Sequence, residues 1–146
     1  MENGVHRMDL SFCEGCGRMN ECGEGCPAGA LRVCGQEMDA QELLGKVLAD
    51  RDFYGKEGGV TCSGGEALLQ EEFLLEFLPL CKEAGISTCL DTTLNVEWDR
   101  IERLLPFTDL FLADIKFMDP ERHGQYCGTD GVRTVENLYR LSDAGK

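Results

Sequence analysis

Gly58-Gly59-Val60-Thr61-Cys62-Ser63-Gly64-Gly65-Glu66 reads as a short strand that ends in a glycine turn and runs into a helix. Val60 to Ser63 are β-branched or small, as a pleated, buried strand prefers. Gly64-Gly65 leaves the backbone bare, so positive φ is allowed and a ligand can come close to it. Glu66 stands at the exit, ahead of the apolar-periodic run Leu68, Leu69, Phe73, Leu74, Phe77. A strand end, two glycines and one carboxylate suit a grip on a small polar ligand that carries an amino group. A plain tight turn between strand and helix accounts for the two glycines as well. Ser-Gly-Gly-Glu also looks like the signature loop of ABC-type ATPases, but no G-x-x-x-x-G-K-[ST] accompanies it. Nor does the stretch supply the G-x-S-x-G of a nucleophile elbow.

Outward from this stretch the text alternates. Upstream, Asp39 can cap a helix with Glu42 three residues on, and Leu43, Leu44, Val47 and Leu48 form its stripe. Downstream, strands begin near Val60, Ile86 and Asp109. The helix after the first ends at Ala84 with Gly85 as its C′ residue, and Pro79 inside it predicts a kink or an early break. The next helix lies around Asp99 to Leu105, before Pro106. Asp119-Pro120 opens a short helical turn, and a last helix from about Arg133 to Ala144 uses Val135, Leu138 and Leu141. Strands that alternate with helices predict a parallel sheet.

Alternation within the strands sorts their faces. Ile86, Thr88 and Leu90 share one face, and Ser87, Cys89 and Asp91 the other. A strand from Leu110 to Phe117 places Phe111, Ala113, Ile115 and Phe117 opposite Leu110, Leu112, Asp114 and Lys116. One face packs on helices, and the other turns polar towards the carboxyl end. That is the arrangement of a barrel with its active site at the C-terminal rim of the strands. Ser63, Asp91-Thr92 and Asp114–Lys116 converge there in this reading, with an internal Asp114–Lys116 ion pair as the plainer alternative.

The first 37 residues differ. They show little periodicity, many glycines, and Cys13-x2-Cys16-x5-Cys22-x3-Cys26-Pro27. This resembles the bacterial ferredoxin run C-x2-C-x2-C-x3-C-P with a wider second gap. Short spacings let one loop wrap soft thiolate ligands around an iron–sulfur centre. The expectation is one [4Fe-4S] cluster on Cys13, Cys16, Cys22 and Cys26, with Cys34 a rival fourth ligand; a four-cysteine zinc site is the alternative. The domains read as 1–37, a ferredoxin-like insert, and 38–146, the strand–helix units. Cys62, Cys81, Cys89 and Cys127 lie singly and look like small core residues or bystanders.

At 42% hydrophobic and 28% charged, the 146 residues have the composition of an ordinary soluble domain. A net charge of −13 argues against nucleic acid and against anionic membrane surfaces. The greasiest run, Phe73 to Leu80, is broken by Glu76 and Pro79, so no membrane span is expected. Nine cysteines without a basic, apolar leader point to metal or redox chemistry in the cytoplasm.

Three ordered motifs carry a family resemblance: Gly58 to Glu66, Cys-Lys-Glu-Ala-Gly-Ile-Ser-Thr-Cys-Leu-Asp-Thr over 81–92, and Asp-Leu-Phe-Leu-Ala-Asp-Ile-Lys over 109–116. Together they resemble the glycyl-radical-enzyme activating enzymes, radical S-adenosylmethionine proteins of the pyruvate formate-lyase activase type. The resemblance runs from about Cys13 to Lys146. It implies an α/β fold, part of a (β/α)6 partial barrel behind a ferredoxin-like insert. It implies a [4Fe-4S] cluster and S-adenosylmethionine as cofactors, cleaved reductively to a radical that takes a hydrogen from a glycine Cα. It places Ser63, Gly64, Gly65 and Glu66 on the methionine amino group. Asp91, Thr92 and Asp114 then match a small cation site beside the methionine carboxylate, which Lys116 neutralises. The implied partners are a glycyl radical enzyme, such as a formate acetyltransferase or a related lyase or dehydratase, and a flavodoxin- or ferredoxin-type electron donor.

One departure stands out. The family's C-x3-C-x2-C is absent: Cys22-x3-Cys26 begins like it, but Gly29 occupies the third position. The chain therefore reads as a piece of an activase, truncated at both ends and inactive alone. The alternative from another class is a non-catalytic iron–sulfur or electron-transfer module on the same scaffold.

Overall fold

The computed structural model describes residues 34–55 and 58–146. The chain divides into two units, Met1–Glu37 and Met38–Lys146. Cys13, Cys16, Cys22 and Cys26 lie outside the described residues; Cys34 is described and exposed.

The second unit opens with helix α1 (Ala40–Ala49). Asp39 caps it by accepting from the Glu42 N–H at 2.7 Å, as the spacing predicts. Strand β1 (Gly59–Cys62) follows, then a 3-10 turn (Ala67–Gln70) and helix α2 (Glu71–Glu83). Strand β2 (Ser87–Thr92) leads to helix α3 (Trp98–Leu104), and strand β3 (Leu110–Ala113) to helices α4 (Pro120–Cys127) and α5 (Val132–Asp143). The strands form one parallel sheet in the order β1-β2-β3. The α/β class and the three parallel strands agree with the sequence reading.

Register fixes which side chains share a face. Thr61 pairs with Cys89 and Cys89 with Leu110, so these three lie abreast. The other face carries Val60, Cys62, Thr88, Leu90, Phe111 and Ala113, and there the core forms. Phe77, Leu78, Leu74 and Cys81 of α2 meet Leu90, Ile86, Leu68, Ile101 and Leu104, all at most 4% exposed. Each large apolar side chain so buried contributes about 1.5–3 kcal/mol. Gly59 allows β1 and β2 to approach, since a Cβ there would strike the Ser87 backbone.

Several expectations need correction. The third strand stops at Ala113 instead of running to Phe117, so Asp114 and Lys116 stand on the segment beyond it. The Asp114 N–H makes a last bond to Thr92 O at 3.0 Å, and β2 itself ends at Thr92. Pro79 does not break α2, which continues to Glu83. Buried Phe77 and Leu78 before the proline, and Cys81 after it, hold both halves to the core. Leu69 is not part of the buried stripe: the 3-10 turn rotates it outwards, 70% exposed. In α5 the buried positions are Thr134, Asn137 and Leu141; Val135 and Leu138 are half-buried. Among the described residues no helix is long and apolar enough to cross a membrane.

Candidate functional site

The carboxyl ends of the three strands bring together the polar residues that the sequence singles out. Ser63 follows β1, and its hydroxyl donates to Asp91 Oδ2 at 2.8 Å. Parallel register explains the contact: Thr61 pairs with Cys89, so the next outward pair two residues on is Ser63 and Asp91. Gly64 then takes φ 119°, a left-handed conformation that favours glycine. Open space lies where a side chain would stand at both Gly64 and Gly65. The backbone here is bare and outward-facing, as a ligand cradle requires.

Glu66 closes the turn. Its Oε1 accepts from the Leu68 N–H at 3.1 Å and from Thr92 Oγ1 at 2.6 Å. Its Oε2 accepts from the Thr93 N–H at 2.9 Å and from Thr93 Oγ1 at 2.7 Å. Partial burial pushes this carboxyl up, but the hydrogen bonds from Thr92, Thr93 and Leu68 outweigh it and hold it below the ordinary value. Glu66 is thus an ionised carboxylate locked to the end of β2.

Past β3, Lys116 pairs with Asp114, both side chains about half exposed. The hydrogen bond and charge of Asp114 raise the Lys116 ammonium above its ordinary value, with Asp91 adding to the effect. The Asp114–Lys116 pair therefore forms, but at the rim and open to solvent, not as the internal pair of the plainer alternative. Among the described residues no three His, Cys, Asp or Glu side chains gather closely enough to hold a metal ion. Burial pushes the Cys62 and Cys81 thiols up to about 11, which keeps them protonated and poor ligands.

Two residues at this end have no place in the sequence reading. Thr93 supplies two of the four bonds to Glu66. Asn137 of α5, 3% exposed, donates through Nδ2 to both Leu94 O and Val96 O at 2.9 Å. Asn137 carries a legible signal, because Thr134, Asn137 and Leu141 share one helical face. A polar residue on a buried face is there to make hydrogen bonds.

A scan against protein-family models finds no match. Individual proteins do match. The chain is 39% identical over 117 residues to the (2S)-3-sulfopropanediol dehydratase activating enzyme of Klebsiella oxytoca, which covers 80% of this chain and 37% of that protein. It is 40% identical over 135 residues to the pyruvate formate-lyase-activating enzyme of Clostridium pasteurianum, covering 87% of this chain and 56% of the relative. Among solved structures, a domain of the pyruvate-formate lyase-activating enzyme from Bacteroides vulgatus superposes with a TM-score of 0.55 at 34% identity. That match covers 60% of this chain and 54% of the other. The chain spans about half the length, or less, of the curated relatives it matches. Over that span, in sequence and in fold, it is homologous to the glycyl-radical-enzyme activating enzymes.

Proposed function

We propose that this chain carries the S-adenosylmethionine site and an iron–sulfur centre of an enzyme that installs a glycyl radical on a partner enzyme. The observation that carries the reading is the bare Gly64-Gly65 turn just after β1, left-handed at Gly64. It stands beside Asp91, Thr92, Asp114 and Lys116, in a chain 34–40% identical to activating enzymes. The turn fits an amino acid's ammonium group. Glu66 already accepts four hydrogen bonds, about as many as a carboxylate has lone pairs for. It therefore attracts the ammonium through its charge, and the carbonyls of the exposed turn accept the N–H groups. Lys116 offers the opposite charge for the methionine carboxylate, with Asp91, Thr92 and Asp114 beside it as a place for a small cation.

The thiolates of Cys13, Cys16, Cys22 and Cys26 suit an iron–sulfur cluster by chemistry and spacing, as a ferredoxin-like insert over 1–37. Residues 38–146 are read as part of a radical S-adenosylmethionine partial barrel. When bound, the cluster and S-adenosylmethionine together supply the radical that removes hydrogen from a partner's glycine. The protein's share is to bind, orient and exclude water. The partner is a glycyl radical enzyme of the lyase, dehydratase or decarboxylase kind that the relatives' names describe. A flavodoxin- or ferredoxin-type donor supplies the electron, and the setting is cytoplasmic.

Gly29, which stands in the third position after Cys22-x3-Cys26, favours a second reading, a non-catalytic iron–sulfur or electron-transfer module. One experiment separates the two. The 146-residue chain is reconstituted anaerobically with iron and sulfide, tested for S-adenosylmethionine binding, then reduced with dithionite. The expected result is a [4Fe-4S] cluster that Cys26→Ser weakens, and measurable binding of S-adenosylmethionine. No catalytic yield of 5′-deoxyadenosine is expected, because the C-x3-C-x2-C spacing that would leave an iron open does not occur in these 146 residues. A cluster with no S-adenosylmethionine binding establishes the second reading. Catalytic 5′-deoxyadenosine contradicts the expected inactivity, and zinc without labile sulfide removes the iron–sulfur assignment.

A further inference from the structure

We propose that Thr93 is a positioning residue for the glycine turn: it ties the Glu66 carboxylate, and through it Gly64 and Gly65, to a strained loop after β2. The inference rests on the turn being the amino-group site proposed above.

Open space surrounds the turn where side chains would otherwise brace it, so its shape depends on its two ends. One end is Ser63, held by Asp91 at 2.8 Å. The other is Glu66, whose Oε1 is fixed by Thr92 and Leu68 and whose Oε2 is fixed by Thr93 through both N–H and hydroxyl. Thr92 belongs to β2 and is placed by the sheet. Thr93 lies one residue past the strand and is placed by the loop it opens.

The next residue, Leu94, sits at φ 57°, a left-handed conformation that crowds the Cβ of an ordinary L-residue. Such strain persists only where the surroundings over-determine it. Here they do so from three sides. The Leu94 side chain is fully buried in the core. Its N–H donates to Thr92 Oγ1 at 3.0 Å. Its carbonyl accepts from Asn137 Nδ2 at 2.9 Å, and the same amide group holds Val96 O at 2.9 Å. Helix α5 thus staples the loop that presents Thr93, and Thr93 presents two donors to one carboxylate oxygen. The mutual arrangement makes a strut that runs from α5 through Asn137, Leu94 and Thr93 to Glu66.

The test uses the full 146-residue chain, reconstituted with iron and sulfide, as wild type, Thr93→Val and Thr93→Ser. Two quantities are measured: the Kd for S-adenosylmethionine by equilibrium dialysis, and amide hydrogen exchange of ligand-free peptides over 63–68, β1 and α2. Thr93→Val is expected to weaken binding about tenfold, the equivalent of roughly 1.4 kcal/mol. It should also speed exchange at 64–66 while leaving β1 and α2 unchanged, and Thr93→Ser should restore both. Wild-type affinity together with unchanged exchange in Thr93→Val overturns the proposal. So does a uniform rise in exchange across 63–68, β1 and α2 that Thr93→Ser shares, since that marks a purely structural role. If the wild type takes up no S-adenosylmethionine, the reading of the turn as the amino-group site fails. Exchange at 64–66 then decides the positioning claim by itself.

Discussion

Glu66 and Lys116 are single charges at the same rim, but their surroundings differ. Lys116 shares an exposed pair with Asp114, and exposed pairs contribute little. Lys116→Ala is expected to leave the thermal midpoint unchanged. Glu66→Ala strands two N–H groups and two hydroxyls, so a loss of about 1–3 kcal/mol is expected in denaturant titration. A Glu66→Ala protein as stable as the wild type would show the four bonds to be incidental. The same carboxylate predicts a pH dependence. Its hydrogen bonds hold the folded Glu66 below its ordinary value despite its burial. Asp109 is held down likewise, first by Lys82 and then by Thr88. A depressed folded value means that the contribution is complete above the ordinary carboxylate range and is lost as pH falls through the folded values. Stability measured from neutral pH downwards should therefore fall in the acid range, and less steeply in Asp109→Asn. At this scale the sequence was legible where chemistry is local: Ser63, Asp91 and Glu66 stand at strand ends because the residue pattern puts them there. Thr93 was not legible, because its role depends on a carboxylate 27 positions away.

Elements were legible where a cap or a period announces them. Asp39 caps α1, Ala84 ends α2 with Gly85 beyond it, and Asp119 accepts from the Arg122 N–H at 2.8 Å ahead of Pro120. The errors came where packing overrides a local rule. The early break expected at Pro79 is the clearest: interior proline costs a helix about 3 kcal/mol, yet the burial of Phe77, Leu78 and Cys81 lets α2 run on to Glu83. Pro79→Ala should recover part of that cost, less the entropy that proline removes from the unfolded chain, about 1 kcal/mol at most. A net gain of roughly 1–2 kcal/mol is expected, read as a higher thermal midpoint. A lower midpoint would mean that the ring itself packs against the core more tightly than its half-buried state implies. The third strand was overextended for a different reason. Alternation continues through Phe117, but a strand also needs a ladder, and pairing with β2 ends at Thr92 opposite Ala113.

For the whole molecule, the sheet order is also the chain order, β1-β2-β3. The fold class was readable for that reason: each strand finds its partner in the next one along, across a single helix. The face opposite the core was less readable, since Leu110 and Leu112 stand on it 54% and 47% exposed among polar neighbours. The simple order has a consequence for biosynthesis. Of the three described strands, a chain made from its amino end exposes β1 first, then the helix that covers it, then β2, which pairs with the strand already outside the ribosome. No strand of the three must wait for a later one to be slotted between its neighbours. The order of translation and the order of assembly coincide, so each completed strand–helix unit becomes the template on which the following one docks.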